Sequence, residues 1–472
     1  MHNNSRTPFH NIMESTLDEP VTPAGRLFLQ PQLNQIINCA IGFKHPLNIQ
    51  AIKTELSNSL MLKHPRFLSL LVIDDHGREY WRKTQVNLDD HIIIHDKTLS
   101  LNLDSDEEIE DKVNSCLSDF AISSPLNTNK PLWEIHIYTE LKCAILRIHH
   151  ALGDGISLMS LFLASCEKAN GKDDDKDYVA EKRVEKREEN KRGIVGIMKI
   201  IWWTILSVLG FIGRCLWVKD IKTAISGGDG VELWPRMAAT AKFSLEDMKL
   251  VKKAIPNATV NDILFGVISY GLSKYLDIRT FGALQEGLQI TGLAMVNLRK
   301  QPGLQELSKL MEEGSKAKWG NRFGIILLPI HCHTKDVDPL NYVKRAKAMV
   351  DKKKKSLEAH FSYNIGRLIM SLLGPKAASI LNYRIICNTT FTVSNMVGPT
   401  EQLTYVGNPI SFIRATSSGL AHALIMHMVS YAGIANLQIQ VAKDIIPDPR
   451  LLAKCFEDAL VDMKNVAKNT IS

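Results

Sequence analysis

The seven residues His149-His150-Ala151-Leu152-Gly153-Asp154-Gly155 decide how this chain is read. Before them, residues 143–148 have the apolar, branched character of a buried strand; after them, residues 156–169 have helical periodicity. A histidine at the end of a strand, on the way into a tight turn, is held rigidly with its ring free to face a cleft. Gly153 and Gly155 are expected to supply the unusual backbone angles of that turn. Asp154 stands where the next helix begins, so its carboxylate is expected to accept hydrogen bonds from the backbone or from an arginine and lock the bend. Imidazole titrates near neutrality and can take the proton of an attacking hydroxyl. These residues alone leave open which of the two histidines acts.

Working outward, residues 35–43 and 133–139 read as strands and 47–63 as a helix. Residues 66–74 and 78–86 form a hairpin about His76-Gly77, and 104–121 an acid-fronted helix. Toward the other end, 244–254 and 260–275 are helical, the second with Thr259 and Asp262 in capping-box spacing. Residues 288–296, 323–331, 391–394 and 410–415 are strands, 339–373 is largely helical, and 427–441 is a hairpin around Ala432-Gly433. Asp448 opens a terminal helix. The pattern is α/β (α+β), in two halves.

Between the halves the composition changes twice. Residues 167–192 are dominated by Asp, Glu, Lys and Arg and bury too little surface to offset the entropy of ordering, so a flexible linker is expected. Residues 193–218, GIVGIMKIIWWTILSVLGFIGRCLWV, are apolar except for Lys199 and Arg214. Their uncharged centre is shorter than the roughly twenty residues a spanning helix needs. The two cations stand near the ends, where they would snorkel, and Trp202, Trp203 and Trp217 suit a membrane interface. A membrane-spanning helix, a helix lying in the interface and a buried hairpin or core helix all fit. The expected division is 1–166 for the first domain, 167–192 for the linker, 193–218 for the apolar helix and 219–472 for the second domain.

The chain has 472 residues, of which 45% are hydrophobic and 23% charged, enough for packed cores. A formal charge of +7 suits an anionic membrane or a polyphosphate-bearing substrate. Nucleic acid is not an expected partner, because zinc-finger spacing and a basic run interleaved with aromatics are both missing. Eight cysteines without a CxxC pair point to reduced thiols on the cytosolic side. Residues 1–23 lack the basic-then-apolar order of a signal peptide. No metal is expected: the His-His-Asp group has no HExxH context, and His331-Cys332-His333 is a weak signal. A serine hydrolase would carry a GxSxG elbow, which is missing too.

Residues 149–155 match the HHxxxDG signature of CoA-dependent acyltransferases. Further segments resemble one branch, the bifunctional wax ester synthase/diacylglycerol acyltransferases, and its plant members closely. They are Thr22-Pro23-Ala24-Gly25-Arg26, Pro131-Leu132-Trp133-Glu134, Asn261-Asp262, Asn297-Leu298-Arg299 and Ser394-Asn395-Met396-Val397-Gly398-Pro399. Met396-Val397 departs from the Val-Pro pair expected there.

The resemblance implies a two-domain fold like that of chloramphenicol acetyltransferase, with a tunnel between the domains. It implies that His150 is the base, that His149 supports it and that Asp154 points away from the substrate, with Gly155 completing the motif. Asn261, beside Asp262, is the expected donor to the oxyanion. Asn297, Arg299 and Asn395 are expected to support the site from behind or pack the domains, and Pro131 and Trp133 to shape the pocket wall. The substrates would be acyl-CoA and a fatty alcohol or diacylglycerol, with membrane lipid as a partner and without metal or prosthetic group. The expected place is the endoplasmic reticulum membrane, with the catalytic part facing the cytosol and the plasma membrane as the alternative. Two rivals remain. A soluble HxxxDG acyltransferase of secondary metabolism usually carries a DFGWG motif, not found here, and a non-catalytic membrane acyl-CoA-binding protein would keep the fold without turnover.

Overall fold

Strand β2 (Ile36–Phe43), buried along most of its length, is the middle of the sheet that carries the histidine pair. In this computed structural model, which describes residues 18–95, 105–123, 125–168, 194–299, 319–333 and 338–471, its neighbours come from both ends of the chain. On one side run β5 (Ile92–His95), β6 (Trp133–Tyr138) and β7 (Cys143–His149). Ile36 stands opposite His149 and Trp133 opposite Ile148, so the first residues of two strands frame the end of β7. Helix α2 (Ile49–Asn58) buries Ile52 and Leu56, and α4 (Gly155–Leu163) begins directly after the histidine turn. The hairpin of β3 (Ser69–Ile73) and β4 (Glu79–Lys83) turns at Gly77 as expected, with β1 (Glu19–Pro20) beside it. The acid-fronted helix is α3 (Asp106–Ile122).

The other side of this sheet overturns the simple division at residue 219. Strands β13 (Leu403–Tyr405) and β14 (Asn408–Ser417) come from the second half, and β14 pairs with β2, Ala415 facing Cys39. Glu167 and Lys168, expected to open the linker, form β8 (Glu167–Lys168) against β13. Residues 169–192, the rest of the expected linker, lie outside the described residues. Periodicity identifies a strand, but hydrogen-bonding groups left open on β2 determine which sheet it joins.

The second sheet has the order β11-β10-β12-β15-β16-β9. The strands are β9 (Arg236–Ser244), β10 (Leu288–Asn297), β11 (Phe323–Cys332), β12 (Phe391–Val397), β15 (Leu424–Tyr431) and β16 (Ile434–Ala442). The hairpin at Ala432-Gly433 has φ of 47° and 86°, the left-handed pair that matches strand twist. The sequence reading places no strand at β9, whose alanines carry little strand preference; pairing with β16 makes it one. α7 (Val260–Arg279) is apolar on most sides and fully buries Ile263, Leu264, Val267 and Leu272, as a helix in the middle of a layer must. The expected capping box of Thr259 and Asp262 closes its start. α6 (Leu245–Lys253) and the terminal helix complete this core.

The long helical stretch divides into α8 (Pro339–Lys355) and α9 (Glu358–Cys387). α9 runs well past residue 373 and bends at Gly374, where φ is 79°, just before Pro375. The apolar segment is α5 (Ile194–Leu216), long and apolar enough to cross a membrane. It packs along α9, with Phe211 and Arg214 buried, while Trp202 and Leu209 are each 58% exposed. Arg214 does not snorkel. Its guanidinium is buried against Asp220 (2.7 Å), Thr291 Oγ1 (2.7 Å) and the Asn388 carbonyl (2.5 Å). Burying a charge is costly unless it is paired, so the sheet rather than solvent fixes this end of α5.

Candidate active site

The histidine turn is held by its backbone first. The His149 N–H donates to the Leu132 carbonyl (3.0 Å), and the His150 N–H donates to that of Gln35 (2.9 Å). Leu132, between Pro131 and Trp133, thus anchors the end of the strand that carries His149. Trp133 is fully buried, donates from Nε1 to the Phe67 carbonyl (3.0 Å) and stacks on His91 at 3.9 Å. It is core, and it fixes the strand end from which His149 emerges.

The two rings divide their work by hydrogen bonding. Nδ1 of His149 accepts the Ala151 N–H (3.1 Å), which puts its proton on Nε2, facing Asn34 Oδ1 at 2.9 Å. Both nitrogens are used, and burial, then the neighbouring His150, pushes its pKa down to about 3. His149 is a neutral support. For His150, the Asn321 amide donates from Nδ2 to the His150 carbonyl (2.8 Å), which turns its Oδ1 toward the ring. Nδ1–H of His150 then donates to that oxygen at 2.9 Å, leaving the Nε2 lone pair as the basic site. Burial holds His150 below the ordinary imidazole range, while the Asp154 charge and the Asn321 bond pull the other way. A neutral ring with one committed nitrogen is a ready general base.

Asp154 points away from this ring, as expected. Its Oδ1 caps α4 by accepting the Ser157 N–H (3.0 Å), and its Oδ2 accepts the Arg322 N–H (3.1 Å). Arg299 binds both oxygens, at 2.7 and 3.1 Å, and also donates to Ser157 Oγ (3.1 Å) and the Gly320 carbonyl (2.6 Å). Asn297 Oδ1 accepts the Arg299 N–H (3.0 Å) and so orients the arginine. The second half of the chain thus locks the turn carried by the first.

One expectation is corrected. Neither Gly153 nor Gly155 has positive φ, so the backbone angles of the turn do not demand glycine at either position. A Cβ on Gly155 would stand 2.4 Å from Cε of Met396, and one on Gly153 would touch the Trp319 ring at 3.4 Å. Asn261 is exposed and not drawn into the His150 cluster. It accepts from Asn395 Nδ2 at 2.5 Å, a bond that ties the start of α7 to β12, while Asp262 serves the capping box.

Several groups at the site escaped sequence reading. Asn321 and Asn34 belong to no motif; each is an ordinary amide until folding places it on a histidine. Phe28, in α1 (Pro23–Phe28), lies 4.2 Å from the His150 ring, and Phe323 lies 6.0 Å from it. These two phenylalanines open into a narrow apolar channel of about 80 Å³, which passes Ile325, Tyr363 and Met370 between α1, β11 and α9. His427 on β15 is buried with Nε2 3.4 Å from Ser417 Oγ, and its Nδ1 has no partner among the described residues. Burial, then the proximity of His150, lowers its pKa to about 4.

A neutral imidazole at the end of a strand, an aspartate–arginine lock behind it and an apolar channel nearby between α1, β11 and α9 suit histidine-dependent acyl transfer. Comparisons with known proteins narrow this class. The WS/DGAT C-terminal domain family model matches residues 319–464. Wax ester synthase/diacylglycerol acyltransferase 11 of Arabidopsis thaliana is 34% identical over 479 residues, covering 96% of this chain and 95% of its own. Wax ester synthase/diacylglycerol acyltransferase 4 of the same plant is 35% identical, covering 96% of this chain and 91% of its own. Among solved structures, the wax ester synthase/diacylglycerol acyltransferase from Marinobacter aquaeolei VT8 has the same fold, with a TM-score of 0.59 at 14% identity over 95% of this chain and 100% of that one. The chain belongs to the wax ester synthase/diacylglycerol acyltransferase family of acyl-CoA-dependent O-acyltransferases.

Proposed function

We propose that this protein joins a long-chain acyl group from acyl-CoA to a fatty alcohol, with diacylglycerol as a second acceptor, at the surface of a membrane. The observation that carries this reading is the free Nε2 of His150 beside an apolar channel, its tautomer set by Asn321. Nε2 takes the hydroxyl proton as the alcohol oxygen attacks the thioester carbon. The tetrahedral oxyanion collapses, the carbon–sulfur bond breaks, and the imidazolium returns its proton to the CoA thiolate. The reaction needs no metal or prosthetic group, and acyl-CoA enters as a substrate. Asn261 is the proposed oxyanion donor: its amide oxygen accepts from Asn395, which leaves Nδ2–H as the group that would donate.

The membrane contact is assigned to α5 and the outer face of α9. Apart from Lys199 near its start, the outward stripe of α5 is apolar, from Met198 and Trp202 to Leu209 and Leu216, and Leu368 and Leu372 continue it on α9. Met370, on the same helix, lines the channel to His150. A helix fastened along one side and apolar along the other lies in the interface better than across the bilayer. The cytosolic face of the endoplasmic reticulum is the membrane proposed.

Incubating microsomes that contain the protein with labelled palmitoyl-CoA plus hexadecanol or diacylglycerol tests the assignment. Labelled wax ester, with less triacylglycerol, is expected. Binding of palmitoyl-CoA without either ester would sink it in favour of a sensor.

A further inference from the structure

The face of β11 that sends Phe323 and Ile325 into the His150 channel continues with Leu327, Pro329 and His331. Those later residues line a separate cavity of about 750 Å³, well within the size range of small-molecule sites, about 300–1,000 Å³. By strand geometry, His331 lies roughly 26 Å along β11 from Phe323, too far for this cavity to be the site of proton transfer. Along α5 it is lined by Trp203, Leu206 and Gly210, the last two also reaching the surface, and Phe265 of α7 and Met349 of α8 stand opposite.

The lining is mostly apolar, with the polar Gln289, Thr291 and His331 among it, and one rim is cationic. Arg345 and Lys352 line it from α8, seven residues apart and so on one face, roughly 10 Å from each other. Their neighbours are neutralised: Lys344 pairs with Asp338, Lys347 with Asp351 and Lys353 with the buried Glu358. Arg345 and Lys352 have no carboxylate partner among the described residues; they lie instead over the rings of Tyr342 and Trp203, at 5.9 and 5.0 Å. A fully apolar ligand would gain nothing from this pair, and a small anion nothing from the cavity behind it.

We propose that the cavity under α5 is a second lipid site, which binds a single-chain amphiphile by its alkyl tail, with its anionic carboxylate or phosphate head between Arg345 and Lys352. The site is separate from the ester-forming channel, and its occupancy does not depend on turnover. Its roof is the same helix whose outer face is apolar and exposed, so an amphiphile in a surrounding lipid layer needs to cross only one helix to reach it.

Gly210 supplies a clean test, because a Cβ added there meets no atom within 4 Å. A palmitate analogue with a mid-chain diazirine is photolysed with the full-length protein, and the labelled peptides are mapped by mass spectrometry. Labelling is expected on α5 and on residues 327–332. Palmitate or palmitoyl-lysophosphatidate should compete at least about tenfold better than hexadecanol, the difference an ion contact supplies, and whichever wins identifies the head group. Gly210→Phe should fill the cavity and abolish this labelling without lowering the melting temperature. Arg345→Glu/Lys352→Glu, at exposed positions, should erase the preference over hexadecanol. Labelling confined to the Phe28–Phe323 channel, labelling unchanged in Gly210→Phe, or equal competition by hexadecanol would overturn the proposal. None of these readouts measures ester synthesis, so they stand or fall apart from the assigned reaction.

Discussion

Arg299 and Arg214 are buried in the same manner, each against a carboxylate, a backbone carbonyl and a hydroxyl, yet they secure opposite kinds of structure. Arg299 reaches across 145 residues to Asp154 and fixes the bend behind His150. Arg214 reaches Asp220, Thr291 and Asn388 and fixes the last turn of α5, whose outer face is left to its surroundings. A proton acceptor must be positioned to a fraction of an ångström, and the histidine turn is held by a dense set of backbone and side-chain bonds. A helix whose outer face is apolar needs only to present the correct side, and a buried cation at its end helps to hold that orientation. Equal chemistry thus serves precision in one place and orientation in the other.

The comparison can be broken most sharply at the base itself. His150→Ala should lower ester formation about 10²–10⁴-fold, the contribution of a general base, while the melting temperature stays within a few degrees of wild type. Acyl transfer and thermal unfolding measured on one preparation check this, and near-normal turnover would remove His150 from the mechanism. Next in size are the two locks. Asp154→Ala strands Arg299 in the interior, and such a loss costs about 3–5 kcal/mol, enough to bring folding near its limit. Arg214→Met should cost less, about 2–3 kcal/mol, because Asp220 keeps its bonds from Thr291 and Thr390, and liposome binding should persist. Denaturant unfolding ranks the two; if Asp154→Ala were fully stable, or Arg214→Met the worse, the contrast drawn here would be wrong.

The smallest effect concerns pH. Only neutral His150 accepts a proton, and its pKa is lowered by burial, so the acid limb of kcat/KM should fall below the free-histidine value of about 6.5. The Asn321 bond favours the charged ring, so Asn321→Leu should move that limb lower still while cutting turnover about tenfold through the lost orientation. A limb that moved upward would mean that Asn321 acts on some other group.

The motif residues were legible because their chemistry is local. A strand, two histidines and a capping aspartate within seven residues announce a base on a rigid turn. The partners that make it work were not. Asn34, Asn321 and Phe28 lie 115, 171 and 122 residues from the histidines they touch, and an isolated amide or phenylalanine carries no signal of what it will meet. Trp133 and Asn261 belong to recognisable segments, and folding gives each a packing role: the first fills the core and the second ties α7 to β12.

By itself, the sequence determined the order of strands and helices, the histidine turn, the capping box of α7 and the apolar character of α5. All of these depend on neighbours a few residues apart, through periodicity and backbone sterics. Only the tertiary structure decided that β13 and β14 complete the first sheet, that Arg299 is the arginine behind Asp154, and that Arg214 is buried instead of facing lipid head groups. Those outcomes depend on which distant polar group can satisfy a buried charge or an open strand edge, a question of satisfaction in three dimensions that no local pattern encodes.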